Sequence, residues 1–243
     1  MSHAHPAPTA PARTPTPVSS PAPLWRQALA EGVGTALLVA IVVGSGIMAE
    51  RMSPGDAGLQ LLQNSLATTL GLAVLIVVLQ PVSGAHFNPV VTLADRALGA
   101  RLGAGAIGSF IAAQIGGGVL GGMLANAMFA VPTTIATTAR ATPANLLAEV
   151  VATAGLVLVI FALVRTGRAH LAGPAVGAYI GAAYWFTAST SFANPAVTIG
   201  RIFSDTFAGI EPASAGLFIV AQLVGAAIAV GLVHLLWPRG RAR

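Results

Sequence analysis

The sequence predicts an all-α membrane protein, with six transmembrane helices and two re-entrant half-helices arranged as two inverted repeats. Three observations carry that expectation. The 243 residues are 55% hydrophobic and only 8% charged, against roughly 25% charged in an ordinary soluble domain. One phrase occurs twice, FNPVVT around Asn88 and ANPAVT around Asn194, and each copy closes an apolar stretch too short to cross a bilayer. Polar landmarks also recur in one order in both halves: Glu31 and Glu149, Asn88 and Asn194, Gln114 and Gln222, at offsets of 118, 106 and 108 residues.

Residues 1–23 form a Pro/Ala/Thr-rich tail that cannot bury apolar surface, and the composition predicts a disordered, partly polyproline-like leader. They lack the apolar core of a cleavable signal. His3 and His5 offer at most a weak metal site there. Six apolar segments follow, near 24–49, 58–80, 103–130, 145–164, 173–188 and 214–237. A helix needs roughly 20 residues to span the hydrocarbon core. The fifth segment is the shortest, cut by Pro174 near its start and by polar residues after Phe186. The phrases at 88–97 and 194–204 supply only about two or three turns at ~1.5 Å per residue, enough to enter the membrane and not to cross it. Residues 24–130 thus make a first repeat and 145–237 a second. Each holds three crossings, an odd number, so the second is upside down relative to the first.

Charge orients the chain. With the N-terminus cytoplasmic, Arg13, Arg26, Arg96, Arg101, Arg165, Arg168, Arg239, Arg241 and Arg243 fall inside, while Arg51, Arg140 and Arg201 fall outside. This satisfies the positive-inside rule and puts both ends in the cytoplasm. The basic residues are scattered arginines without the clustered stripe that nucleic acid requires. The absence of cysteine removes disulfides, thiolate metal sites and thiol catalysis. No phosphate loop, HExxH zinc signature or GxSxG nucleophile elbow is present, so neither enzyme chemistry nor a cofactor is implied.

The Asn-Pro phrases carry the function. Asn is a strong N-cap, and Pro suits the first helical position because its missing N–H has no intrahelical partner there. Asn88-Pro89-Val90 and Asn194-Pro195-Ala196 therefore start two half-helices, one entering from each side, whose positive ends meet mid-membrane. Each Asn oxygen caps its helix, leaving the amide NH2 to donate into a lumen. Alone, either phrase reads as capping in a buried loop; paired at inverted positions, they read as a pore. Glu31 and Glu149 lie within apolar spans, where an ionisable group is costly and functional by default. One reading makes them a proton relay in an ion-coupled transporter. Gly117/Gly121, Gly118/Gly122 and Gly225/Ala229 are small-residue pairs that let helices approach closely in lipid.

With these residues the chain resembles the major intrinsic proteins, the aquaporins and aquaglyceroporins. The likeness rests on SGAHFNPVVT from Ser83 to Thr92, the second Asn-Pro-Ala box, the paired Glu-x-x-x-Thr at Glu31/Thr35 and Glu149/Thr153, and Gln114 with Gln222. It implies a passive channel for water and small uncharged solutes in the bacterial-type inner (plasma) membrane, assembled as a homotetramer with one pore per subunit. It also implies that Glu31 and Glu149 hold the re-entrant loops by accepting backbone N–H groups, with His86 in that network or on the inner pore wall. His170 lies in a loop, where a solvated role or a pH-sensing one is open.

Two departures from the family pattern bear on selectivity. The first box ends in Val90 rather than Ala, adding bulk beside the caps. Where most members place Arg directly after the second box, this chain has Val197. The resemblance carries the remaining filter positions onto Thr68, Ser191 and Tyr184, with Ala182 the rival for the last. A Thr/Tyr/Ser/Val filter has no fixed charge and is wider than a water-only constriction. Bacterial members with this altered box resemble channels of arsenic-resistance systems, whose solute As(OH)3 is similar to glycerol in size and hydroxyl display. Arg201, one turn beyond Val197 on the same helical face, either restores positive charge at the outer mouth or pairs with Asp205. A water-selective aquaporin and a junctional membrane protein with an occluded pore are the remaining alternatives.

Overall fold

The computed structural model describes residues 22–238; the leader expected to be disordered, with His3 and His5, lies almost wholly outside them. The helices run α1 Leu24–Met52, α2 Ala57–Ser83, α3 Pro89–Ala97, α4 Ala104–Met128, α5 Pro143–Arg165, α6 Ala172–Phe186, α7 Pro195–Gly200 and α8 Pro212–Leu236. No strand occurs among the described residues. α1, α2, α4, α5 and α8 are each long and apolar enough to cross a membrane. α6 has 15 residues, with Pro174 in its first turn, and is preceded by a 3-10 turn at Ala169–Leu171. Together these reach roughly 28 Å, close to the hydrocarbon thickness.

The ends of these helices follow from local chemistry. Asp56 caps α2 by accepting from Leu59 N (2.9 Å), and Gly84 closes it in the left-handed conformation (φ 93°). Thr142 caps α5 through Asn145 N, with Pro143 at its first position. Asn88 and Asn194 stand in extended conformation immediately before Pro89 and Pro195 and start the two short helices.

Polarity is arranged for a lipid solvent. Leu70, Leu120, Leu147 and Leu235 are exposed, whereas Glu31, Gln114, Glu149 and Gln222 are wholly buried. α1 packs on α4 and α5 on α8, the same pairing in each half. Small residues make the approach possible. On α4, Gly117 and Gly121 lie against the backbone of Gly32 and Ala36 on α1, while Gly118 and Gly122 lie against the carbonyls of Ala196 and Gly200 on α7. Two adjacent glycine ridges thus serve two different neighbours. In the second half Gly225 on α8 meets the Val150 carbonyl of α5.

The inverted relation appears at single residues. Ala85 and Phe87 adopt positive φ (53° and 50°), and so do Ser191 and Ala193 (53° and 45°), each pair 106 residues from the other. In both loops the residues one and three before the capping Asn are left-handed, an uncommon conformation for side chains other than Gly, Asn or Asp.

Candidate functional site

The two loops are held by matching networks. Glu31 on α1 accepts four hydrogen bonds: Ser83 Oγ (2.6 Å) and His86 N (3.0 Å) on Oε1, Phe87 N (2.6 Å) and Gln114 Nε2 (2.8 Å) on Oε2. Glu149 on α5 accepts from Phe192 N and Ala193 N (2.9 Å each) and from Gln222 Nε2 (2.7 Å). Every one of these contacts is a donor, so both carboxyls act here as acceptors for backbone that no water reaches. Gln114 and Gln222 then donate to Thr92 Oγ1 and Thr198 Oγ1 (3.0 Å each), which in turn donate to the carbonyls of Asn88 and Asn194. The repeats differ at one hydroxyl: Thr35 donates to the Glu31 carbonyl, while its counterpart Thr153 has no partner for Oγ1.

At the tips, Asn88 Oδ1 accepts from Val90 N (3.1 Å), and Asn194 Oδ1 accepts from Ala196 N (2.9 Å) and Val197 N (3.3 Å). The amide groups reach across to the opposite repeat. Asn88 Nδ2 donates to the Ala193 carbonyl and Asn194 Nδ2 to the Phe87 carbonyl, both at 2.8 Å. This corrects the expectation that both amides are free for the lumen. Each NH2 carries two protons, and one is spent on the crossing bond, leaving one per asparagine for a solute.

Both asparagines lie on the wall of a single cavity of about 230 Å³. Thr68, Leu72, Ile76 and Gln80 of α2 line it as one four-residue stripe, and Ala172, Val176, Ile180 and Tyr184 of α6 face it as another. From Thr68 to Gln80 the wall runs about 18 Å along the helix axis. Leu38 and Val42 of α1 contribute, as do Leu156 and Ile160 of α5, again 118 residues apart. The wall is mainly apolar, with polar groups at intervals.

At the end near the start of α2, the distal end, Thr68 Oγ1 and Tyr184 OH share a hydrogen bond of 3.1 Å, and Ser191, Val197 and Arg201 complete the wall. Ser191 Oγ is buried without a partner. Ala182, the rival to Tyr184, is exposed on the outer surface of α6. Val90 is fully buried in the cluster joining α3 to α5 and α8, which also contains Ala226.

Arg201 does not pair with Asp205: the Asp205 carboxylate accepts from Thr137 N and Oγ1 instead. The Arg201 guanidinium turns inward, donating from Nε to the Ala208 carbonyl and lying 3.4 Å from the Phe192 ring centroid. Arg140, in the loop before α5, lies 5.6 Å from the same ring and donates to the carbonyls of Gly209 (2.7 Å) and Phe207 (2.8 Å). Burial pushes the Arg140 pKa below its ordinary value. At the opposite, proximal end, His86 Nε2 lies 3.6 Å from Asp95 Oδ2 and Nδ1 lies 3.1 Å from Thr92 Oγ1. His170 is exposed on the 3-10 turn, away from the cavity. Sequence reasoning missed Phe192, Asp95 and Gln80. Asp95 alone carried a signal, as an acid within a half-helix seven residues after its cap.

The sequence profile of the family described as Major intrinsic protein matches residues 18–192. The chain belongs to that family. It is 47% identical over 219 residues to Aquaglyceroporin AqpS of Rhizobium meliloti (strain 1021), covering 90% of this chain and 93% of the relative. Against the lens fiber major intrinsic protein of Gallus gallus it is 30% identical over 232 residues, covering 90% and 84%. The solved aquaglyceroporin from Plasmodium falciparum superposes with a TM-score of 0.66 at 21% identity, covering 87% of this chain and 96% of that one. That last likeness concerns the fold. The family member described here is a multi-pass membrane channel for water and small solutes, and not an enzyme.

Proposed function

We propose that this chain is an aquaglyceroporin-type pore that passes water and small uncharged polyhydroxy solutes, glycerol and arsenite As(OH)3 among them, by passive diffusion. The observation that carries this is the distal wall, where the hydroxyl-bearing residues Thr68, Tyr184 and Ser191 stand with Val197 and its alkyl group. Selection in such a pore rests on diameter and on lining donors and acceptors. A paired Thr68–Tyr184 hydroxyl site in an otherwise apolar passage suits a solute with several hydroxyls and a compact carbon or arsenic centre. The name of the 47% identical relative, an aquaglyceroporin, supports the same class. Asn88 and Asn194 each offer one remaining amide proton to a passing oxygen mid-pore, beside the positive ends of their half-helices.

In this reading the channel sits in the inner (plasma) membrane with both termini cytoplasmic, because Arg26, Arg96, Arg101, Arg165 and Arg168 share one side. It works as a homotetramer in lipid, each subunit carrying its own pore. Glu31, Glu149 and His86 are positioning residues for the loops rather than carriers of protons.

The test is parallel permeability to water, glycerol and arsenite in reconstituted vesicles. All three are expected above bare lipid, unsaturated and indifferent to a proton gradient. Water flux without glycerol flux overturns the widened filter. Saturable uptake that collapses with the gradient overturns the channel in favour of a coupled transporter.

A further inference from the structure

Resting on the channel reading above, we propose that Arg201 supplies the fixed positive charge of the distal constriction from one helical turn beyond the second box, making it the residue that rejects cations. Among the described residues, the charged side chains on the cavity wall are Arg201 at the distal end and Asp95, beside His86, at the proximal end. Asp95 attracts cations, so any barrier to them beyond the partial charges of the half-helix ends has to come from the distal end. Val197 contributes none, since an alkyl side chain carries no charge.

The side chain is built into position. Arg201 is only 4% exposed, and a buried guanidinium is costly unless its charge is compensated. It has no carboxylate partner among the described residues. What holds it is a backbone carbonyl, Ala208 O, on Nε and the Phe192 ring 3.4 Å away across the face. An aromatic face stabilises a cation without neutralising it. The terminal nitrogens have no protein acceptor among the described residues and are not fully enclosed, so they serve the cavity. Phe192 is fixed in turn: its N–H is held by Glu149 and its ring meets Phe218 edge-on at 5.1 Å. The charge is therefore pinned by the same loop that carries Ser191, another residue of the same wall.

This arrangement separates width from charge. A short alkyl group at 197 leaves room for a polyol, while a guanidinium held over Phe192 keeps the field that raises the energy of a cation. Its planar N–H fork also offers donors to solute hydroxyls beside Ser191 and Tyr184.

The test measures sodium and proton leak against glycerol uptake in the same reconstituted vesicles of the full chain. Arg201→Met is expected to raise the ratio of cation to glycerol flux by about tenfold or more, and Arg201→Lys to keep it within about threefold of wild type. A ratio within about twofold of wild type in Arg201→Met overturns the proposal, as does an Arg201→Lys variant as leaky as Arg201→Met. Should Arg201→Met pass neither solute nor ion, Arg201→Gln is measured in its place, with a cation-to-glycerol ratio about tenfold above wild type expected and a ratio within about twofold overturning the proposal. Wild-type vesicles that pass no glycerol would instead refute the channel reading itself.

Discussion

Glu31 accepts four hydrogen bonds, and replacing it with Gln isolates what one oxygen is worth. Glu31 Oε1 serves Ser83 and His86, and Oε2 serves Phe87 and Gln114. A Gln at 31 that keeps its carbonyl toward Ser83 and His86 turns an NH2 toward two donors. Gln114 can answer by flipping its amide, whose Oε1 has no partner, only by giving up its bond to Thr92 Oγ1. The flipped oxygen accepts from the new NH2. Phe87 N–H has no such remedy, and a buried donor without an acceptor costs about 1–3 kcal/mol. Glu31→Ala strands His86 N–H as well, so its cost is about 2–6 kcal/mol before any cavity is counted. For a chain of this size that corresponds to roughly 2–4 °C in Tm per kcal/mol. The assay is thermal unfolding of the detergent-solubilised protein alongside glycerol flux in vesicles. The order wild type, Gln, Ala is expected, with flux falling in step because the Phe87 carbonyl also receives Asn194. A Glu31→Gln variant with wild-type melting and flux, or one worse than Ala, would refute this account of the carboxylate.

Val197→Arg adds a second guanidinium to the constriction and is expected to cut glycerol and arsenite uptake more than water flux; equal loss of all three in swelling and uptake assays counts against the filter assignment. Asn88→Ala removes both a helix cap, worth about 0.5–2 kcal/mol, and the crossing bond to Ala193. It should lower thermal stability and water permeability together, and stability loss with unchanged flux would show that the tip does not shape the conduit. Gly118→Ala places a Cβ 2.5 Å from the Ala196 carbonyl, whereas Gly116 faces open space. The first should destabilise by about 1–3 kcal/mol and depress flux, with Gly116→Ala near wild type in the same unfolding assay.

Polar groups in apolar runs made much of this site legible. Glu31, Gln114, Glu149 and Gln222 stand out because lipid gives them no other use, and Asn-Pro announces a helix start through local chemistry alone. The fifth span was readable as the weakest because Pro174 lies near its start. What sequence could not supply depends on backbone atoms from the far repeat. The carbonyls of Phe87 and Ala193 that claim one amide proton each carry no side-chain signature. The left-handed turns fall on Ala85, Phe87, Ser191 and Ala193, where local preference would ask for glycine. The fate of Arg201 was open between the outer mouth and Asp205, because Thr137 takes Asp205 and Phe192 receives the guanidinium through contacts made only once the chain has folded.

The crossing bonds between Asn88, Ala193, Asn194 and Phe87 have a consequence for biogenesis. Residues 24–130 emerge from the ribosome well before Ala193 exists, so the first tip waits without its acceptor while the remaining helices are inserted. Closure of the passage is then among the last steps of maturation, set by the arrival of the second tip. A nascent chain halted before residue 190 should leave residues 84–99 open to protease or deuterium exchange, and protection there in such a fragment would show that the first half seals unaided.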